Sequence, residues 1–367
     1  MKVNEKSNSR TNTVPTEAVI FVPGLSEQEK GYLLDILCEG IENQERLDFQ
    51  LIGEVDIPGH SSKRFGVYSG ETLLKKIDIY EAFWLDIIAE ERLSNKDYRT
   101  KLIEGADLLV YWIFSPVWKA FYEVPSLIIG LFLSLLILVF WYYGILVTII
   151  KDVAETSNIF GQMVPGSWSE YAKVVEQILD QWSLFIFLGI ILSIFGSISV
   201  DKLIDKAHIV KKYLGNVGGI VLRNKIRCRV KRITDDVLHN YEKLTIVAHS
   251  FGVIIATDFL ADYSSTKKIE YITLGGTLNV LSYRSKWIKQ EIDKCLSNKF
   301  VSKWDDYYSM QDWLGGKTPV SLGRNSNKIK LHEFPIQCSF IDRLSGTTHM
   351  AYLSNPVWAR ILFKDRN

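Results

Sequence analysis

The most restrictive feature of the sequence is an unbroken run of 26 residues, Pro125 to Ile150, that contains no charged side chain. An α-helix needs about 20 apolar residues to cross the hydrocarbon core of a bilayer. Helices of water-soluble domains rarely stay apolar on every face for this length, because one face meets solvent. The run therefore predicts a transmembrane helix over residues 125–150.

A second uncharged run, Trp182 to Val200, extends over 19 residues and includes four serines. Like the first run, it carries aromatic residues near an end, as membrane spans do where lipid meets water. We expect a second transmembrane helix over residues 182–200 and hence a two-helix transmembrane hairpin. A pair of apolar helices buried in a soluble core is the alternative interpretation.

The charges around these runs predict how the hairpin is oriented. Residues 151–181 hold two lysines and five acidic residues, whereas residues 201–232 hold ten lysines or arginines and two aspartates. Positively charged flanks stay preferentially in the cytoplasm. The sequence therefore predicts an integral protein of the inner or plasma membrane, with the lipid bilayer as a partner and the rest of the chain on the cytoplasmic side.

The chain outside the hairpin has the pattern of one α/β domain in two parts. Apolar runs rich in β-branched residues alternate with helical patterns, which predicts a mostly parallel sheet with helices on both faces. The predicted strands include residues 18–24, 75–84, 244–250, 269–278, 304–312 and 332–341. The expected division is a flexible N-terminal tail at 1–17, the first part of the domain at 18–115, the transmembrane hairpin at 116–215 and the second part at 216–367.

A candidate nucleophile, Ser250, follows the central predicted strand in the stretch Ala248-His249-Ser250-Phe251-Gly252. This stretch is similar to the G-x-S-x-G turn between a strand and a helix, in which small flanking residues pack tightly. We expect Ala248 and Gly252 to shape the turn. A serine hydroxyl needs a basic partner and an acid that orients the base, so the turn alone does not identify a catalytic site.

Two histidines follow Ser250, and we interpret His349 as the base. His349 comes after the last predicted strand, in a loop at its carboxyl end, where ligand sites of parallel sheets lie. His332 is expected at the start of that strand, at the opposite end of the sheet.

The acid is expected to be Asp312, which ends the predicted strand between Ser250 and His349. Asp305 and Asp306 are the alternatives. Both are expected to lie near the start of that strand, and their side chains are therefore expected to point away from the site. The choice between Asp312 and Asp306 stays open at this point.

An oxyanion hole requires backbone N–H donors directed at the developing negative charge. The first is expected from Phe251, directly after the nucleophile. The second is expected from the turn after the first strand, where Pro23 has no N–H, so that Leu25 is the donor and Gly24 shapes the turn.

Taken together, these segments resemble the α/β-hydrolase superfamily of the lipase and esterase type. The matching segments are AVIFVPGL at 18–25, TIVAHSFGVIIA at 245–256, YITLGGTL at 271–278, YYSMQDWL at 307–314 and TTHMAYLSNP at 347–356. IDIYEAFW at 77–84, followed by a membrane hairpin, further resembles a group of bacterial membrane-associated hydrolases. The chain departs from the lipase pattern at Ala248, where glycine is usual, and at Gly275-Gly276, where Gly-Ser is frequent.

The composition argues against several other classes of protein. Lys and Arg total 43 and Asp and Glu total 42, which gives no support to a nucleic-acid-binding surface. The four cysteines are far apart, which favours free thiols over a zinc site or a disulfide framework. No motif for a metal or a cofactor is present, and we expect neither.

The resemblance implies a membrane-anchored serine hydrolase that cleaves a lipid or other acyl ester, or a thioester, through an acyl-serine intermediate. The alternatives are a non-catalytic scaffold or sensor of the same fold, and a membrane effector that forms oligomers. A predicted helix at 220–241 must run away from the candidate site to the start of the central strand, so the second span is expected to enter beside Ser250. On that basis we expect the site to face the inner leaflet.

Overall fold

The computed structural model describes Val14 and residues 16–43, 48–55, 61–92, 96–123, 125–159, 200–215, 219–265, 267–320, 326–334, 336–339, 342–343 and 346–355. The described strands are β1 Thr16–Val22, β2 Asp48–Gly53, β3 Ser62–Ser69, β4 Thr72–Glu81, β5 Leu244–His249, β6 Ile269–Leu274, β7 Val301–Tyr308 and β8 Ile329–Glu333. Within these ranges the strands form one eight-stranded sheet in the order β2-β3-β4-β1-β5-β6-β7-β8.

The sheet is mixed but mostly parallel. β2, β3 and β4 are antiparallel neighbours, whereas β4, β1, β5, β6, β7 and β8 run parallel to one another. The described helices are α1 Tyr32–Glu42, α2 Tyr98–Ile113, α3 Pro125–Ile159, α4 Val200–Leu214, α5 Gly219–Leu238, α6 Gly252–Ala261, α7 Leu278–Arg284, α8 Lys286–Ser297 and α9 Thr347–Ser354. The predicted α/β class with a mostly parallel sheet is confirmed.

Two apolar layers cover the two faces of the sheet. Along β1, Val19 and Phe21 contribute to one buried cluster, while Ile20 and Val22 contribute to the other. This division follows from the alternation of side chains along a strand. The first layer includes residues of α1 and α9, and the second includes residues of α5, α6 and α8.

The pairing of β1 with β5 joins the two parts of the chain. Val22 of β1 lies opposite Ala248 of β5, and His249 lies opposite Leu274 of β6. Because these strands are parallel, the segments that follow them leave the sheet at the same edge. The turn after β1 and the candidate nucleophile are therefore brought together.

The apolar run 125–150 forms a helix, as predicted, but α3 continues to Ile159. Its segment Ile128–Leu146 has a mean hydropathy of 2.3, and 17% of the segment is buried inside the protein. By length and composition, this segment could cross a membrane. The second predicted span lies outside the described residues except for Val200, which begins α4, so the hairpin stays a prediction.

The predicted tail also needs a correction at its end. β1 begins at Thr16, two residues before the predicted boundary, because Thr16 and Glu17 pair with β4. The carboxylate of Glu17 also forms an ion pair with Lys75 at 2.6 Å. The remainder of the predicted tail, apart from Val14, lies outside the described residues.

Candidate active site

Ser250 lies in a sharp turn between β5 and α6. Its φ angle is 56°, and among the described residues it is the one non-glycine residue with a positive φ. Such a backbone is strained for a residue with a Cβ, and it persists where neighbouring structure holds it. Here the N–H of Ser250 donates to the carbonyl of Leu274 at 3.0 Å, and its own carbonyl accepts from Val253 at 3.1 Å.

Small residues allow the turn to pack against the end of β1. A Cβ on Gly252 would lie 2.4 Å from the carbonyl oxygen of Val22, and a Cβ on Gly24 would lie 2.7 Å from the Cβ of Ser250. Neither distance is possible for a real side chain. Ala248, in contrast, is fully buried within the sheet, where its methyl group is accommodated. The structure thus places all three small residues where a turn around Ser250 needs them.

The imidazole of His349 and the carboxylate of Asp312 are hydrogen-bonded in a buried pair. Nδ1 of His349 lies 2.8 Å from Oδ2 of Asp312, and Oδ1 of Asp312 accepts from the N–H of Leu314 at 2.8 Å. Burial alone raises the pKa of Asp312, but the charge and hydrogen bond of His349 and the Leu314 N–H together lower it below its ordinary value. Asp312 is therefore held as a carboxylate that can orient the imidazole.

His349 lies in the first turn of α9, so the prediction that it lies in a loop is wrong. α9 begins directly after Gly346, whose φ of 77° turns the chain into the helix. The imidazole is buried, and its Nε2 has no hydrogen-bond partner among the described residues. His349 and Ser250 line the same cavity, whose volume is about 280 Å³.

The alternative acids lie elsewhere, but not for the reason expected. β7 extends from Val301 to Tyr308, so Asp305 and Asp306 lie within the strand and not at its start, and the prediction that Asp312 ends the strand is wrong, since Asp312 lies in the segment after it. Asp306 is buried and accepts hydrogen bonds from the hydroxyl of Thr273 at 2.5 Å and the N–H of Thr318 at 2.7 Å. Burial raises its pKa. The hydrogen bonds of Asp306 are therefore structural contacts with β6 and the segment after β7.

The expected position of His332 is also wrong. β8 begins at Ile329, so His332 lies next to the carboxyl end of the strand and not at its start. Its ring stacks on Tyr307 with centroids 4.6 Å apart, and its Nε2 lies 3.0 Å from Oδ1 of Asp305. These contacts explain its position beside β7, and the cavity with Ser250 is lined by His349 instead.

Leu25 and Phe251, the expected oxyanion donors, both line the cavity beside Ser250. Trp84 stabilises this region, since its Nε1 donates to the carbonyl of Pro23 at 2.9 Å and its ring packs 6.0 Å from that of Phe251. We find no acceptor for the backbone N–H of Leu25 or Phe251 within the described ranges. The two backbone N–H groups expected as oxyanion donors therefore belong to residues that line the cavity with Ser250.

His249 is a site residue that the sequence interpretation missed. It is buried, its Nε2 donates to the carbonyl of His349 at 3.0 Å, and the two imidazole centroids are 4.7 Å apart. Its pKa is lowered to about 3, mainly by burial and secondly by the neighbouring His349 imidazole, which together outweigh the opposing effects of the hydrogen bond to the His349 carbonyl and the charge of Asp312. His249 is therefore neutral at physiological pH and positions the first turn of α9.

The free energy of unfolding is expected to decrease as the pH is lowered, because His249 takes up a proton more readily in the unfolded chain. Its pKa is about 3 in the folded protein against an ordinary 6.5, so the unfolded chain takes up the proton first. The contribution is complete above pH 6.5 and declines by about 1.4 kcal/mol per pH unit toward pH 3. His249→Gln keeps an N–H donor and removes this titration.

Denaturant unfolding at several pH values should therefore show the variant gaining stability relative to wild type between pH 6 and pH 4. Comparing the two curves cancels other buried groups, such as Glu81 and Asp258, whose pKa values are raised by burial to about 7 and 6. Parallel curves would show that His249 takes up a proton in the folded protein.

The apolar helix α3 forms one wall of the cavity. Leu131, Leu135 and Leu138 contribute from successive turns, and Leu203 and Val210 of α4 form the adjoining wall. A Cβ on Gly130 would lie 2.5 Å from the carbonyl oxygen of Trp313, so α3 also touches the segment beside Asp312. The helix that could cross a membrane is thus part of the candidate site.

Nothing in the described ranges resembles a metal centre, since no three His, Cys, Asp or Glu side chains are placed to hold an ion. All four cysteines are free thiols. The structure thus places the hydrogen-bonded pair of His349 and Asp312 beside the cavity that Ser250 also lines, and along the chain the three residues follow in the order Ser, Asp, His. Comparisons with protein-family models, curated proteins and solved structures give no match to this chain.

Proposed function

We propose that the protein is a membrane-anchored serine hydrolase with an α/β-hydrolase fold, acting on a carboxylic ester of a lipid or other acyl compound. The observation that carries the proposal is the His349–Asp312 hydrogen bond in the cavity that Ser250 also lines. A buried carboxylate on Nδ1 fixes the tautomer in which Nε2 is the acceptor. That is the form of histidine that a serine hydroxyl needs as its base.

In the proposed reaction, Ser250 Oγ attacks the carbonyl carbon of the ester while its proton passes to Nε2 of His349. The N–H groups of Leu25 and Phe251 stabilise the negative charge on the carbonyl oxygen. The bond to the alcohol oxygen then breaks, and that oxygen takes the proton from His349. A water molecule then gives a proton to His349 and attacks the carbonyl carbon of the acyl-serine. The bond between that carbon and Oγ breaks as Oγ takes the proton from His349, which releases the carboxylic acid and restores Ser250.

The proposed membrane contact is supported by the outer face of α3. Ile129, Phe132 and Val139 are exposed there, opposite the side chains that line the cavity. Just before α3, Phe114 and Tyr122 are 80% and 93% exposed. Exposed aromatic side chains beside an apolar helix are typical of the boundary between lipid and water. We infer that the cavity opens beside the inner leaflet.

The complete hairpin and its orientation belong to the same proposal. α4 follows the second predicted span without a gap, and its side chains line the cavity with Ser250. This position of α4 supports the proposal that the second span enters beside the candidate site. The soluble domain then lies on the cytoplasmic side, as the ten basic residues of 201–232 indicate.

A fluorophosphonate probe is expected to label Ser250 in membranes that contain the protein, because the probe traps a serine activated by histidine. The label should remain with the membranes after an alkaline carbonate wash and map to the peptide that contains Ser250. The matched control is Ser264→Ala, which changes an exposed serine and should label like wild type.

Two results would count against this proposal. Absence of labelling in wild type, or equal labelling of Ser250→Ala, would exclude an activated Ser250. Release of the labelled protein by the wash would exclude anchoring by the hairpin.

A further inference from the structure

Two cavities meet at Ser250. The first is the apolar cavity between α3 and α4, and the second has a volume of about 270 Å³ and lies on the side of the turn after β1. Both are lined by Leu25, Lys206, Ser250, Leu314 and His349. A molecule bound at Ser250 can therefore extend in two directions, into surroundings of different polarity.

The first cavity has the apolar lining that an acyl chain requires. One wall is a face of α3 that carries Leu131, Leu135 and Leu138, and the other wall is a face of α4 that carries Leu203 and Val210. Apolar walls on both sides favour a hydrocarbon chain, since such a chain gains free energy in proportion to the area removed from water.

The second cavity has a mixed lining, in which apolar side chains lie beside the polar residues Ser26, Glu27, Gln28 and Lys202. Lys202 forms an ion pair with Glu27 at 3.0 Å. Polar side chains at this position favour the alcohol half of an ester. After cleavage, the alcohol product with its new hydroxyl group leaves from this side of the site.

Lys206 lies where the two cavities join, one helical turn beyond Lys202. It is partly buried, and it makes no ion pair or hydrogen bond with any residue in the described part of the chain. Burial lowers its pKa, Glu27 raises it and Lys202 lowers it. A partly buried ammonium without a bonded partner is costly, and an anion beside it offsets that cost.

We propose that the substrate is an acyl ester whose alcohol half carries an anionic group such as a phosphate, with the acyl chain in the apolar cavity and the anion on Lys206. The proposal rests on the proposed reaction at Ser250. Lysine binds phosphate as a flexible point charge with three donors. Lys206 then selects anionic esters over neutral esters with the same acyl chain.

The test compares 1-oleoylglycerol 3-phosphate with 1-oleoylglycerol, in mixed micelles of a neutral detergent, and measures kcat/KM for each. Wild type is expected to prefer the phosphate ester. Lys206→Met should lower the ratio of the two values by about 10- to 100-fold, the range for a lost charge-assisted hydrogen bond. Lys206→Arg should keep most of the preference, and the matched control Lys225→Met, at an exposed position on α5, should keep all of it.

Fluorophosphonate labelling of the same samples separates this inference from the proposed function. If wild type is labelled at Ser250 but hydrolyses both esters equally, or if Lys206→Met leaves the ratio unchanged, the role of Lys206 is wrong and the serine hydrolase remains. If wild type is neither labelled nor active, the proposed function fails. Labelling of Lys206→Met at Ser250 would show that this variant is folded. If Lys206→Met is not folded, the effect of the positive charge at position 206 is tested with Lys206→Arg instead.

Discussion

Replacing Ser250 by alanine is expected to lower kcat for acyl-ester hydrolysis by about 10⁴- to 10⁶-fold. The nucleophile and its base act as a unit, so removal of the hydroxyl leaves only binding and the oxyanion donors to accelerate the reaction. The fold should persist, because the hydroxyl is not needed for the N–H and carbonyl hydrogen bonds that hold the turn. The measurement is kcat by stopped assay of the released acid, with the free energy of unfolding measured on the same sample.

The control for this variant is Ser264→Ala, an exposed position that should keep both kcat and stability. Retention of more than about 1% of the wild-type kcat by Ser250→Ala would contradict a covalent role for Ser250, because loss of one oxyanion donor alone costs about 10²- to 10³-fold. Unchanged stability together with lost activity would assign the effect to chemistry.

Asp312→Asn is expected to lower kcat by about 10⁴-fold. The amide would favour the wrong tautomer of His349, since its NH₂ group can donate to Nδ1 where the carboxylate accepts from it. Nε2 would then carry the proton and could not act as the base. The measurement is kcat against pH for wild type and variant, because the pH profile reports the state of the base.

Asp306→Asn is the matched control and tests the alternative assignment of the acid. Asp306 accepts hydrogen bonds from Thr273 and Thr318, so its replacement should lower the free energy of unfolding by about 1–3 kcal/mol. Its kcat should stay within about tenfold of wild type, below the effect expected for a triad acid. The opposite result, with Asp306→Asn inactive and Asp312→Asn active, would make Asp306 the acid.

The α/β class and the edge of the sheet where the candidate residues meet could be predicted from the sequence, whereas the order of the strands and the antiparallel pairing of β2, β3 and β4 could not. Period-two and apolar patterns locate β1, β5 and β6 to within a few residues, and parallel pairing then places Ser250 and the turn after β1 together. The ends of the strands could not be predicted to the residue. β7 and β8 begin three residues before the predicted starts. Asp305, Asp306 and His332 therefore lie further along their strands, closer to the carboxyl ends, than expected.

Contacts between distant segments could not be predicted in this way. His249 directly precedes Ser250, and side chains alternate along a strand, so the sequence gives no reason to place it in the site. Its role depends on a hydrogen bond to the carbonyl of His349, 100 residues away. The position of Lys206 likewise depends on how α4 packs beside α3. Hydrophobic periodicity identifies which face of each helix is apolar, but it contains no information about the neighbour of that face.

The pairing of β1 with β5 sets an order of events during synthesis. Roughly 220 residues separate these neighbouring strands in the sequence. At a synthesis rate of about 5–20 residues per second, β5 is therefore made about 10–45 s after β1. During that interval the N-terminal segment has β4 on one side of β1 and an unpaired strand edge on the other. α3 leaves the ribosome before β5 does, so the apolar helix is made while the sheet is still open.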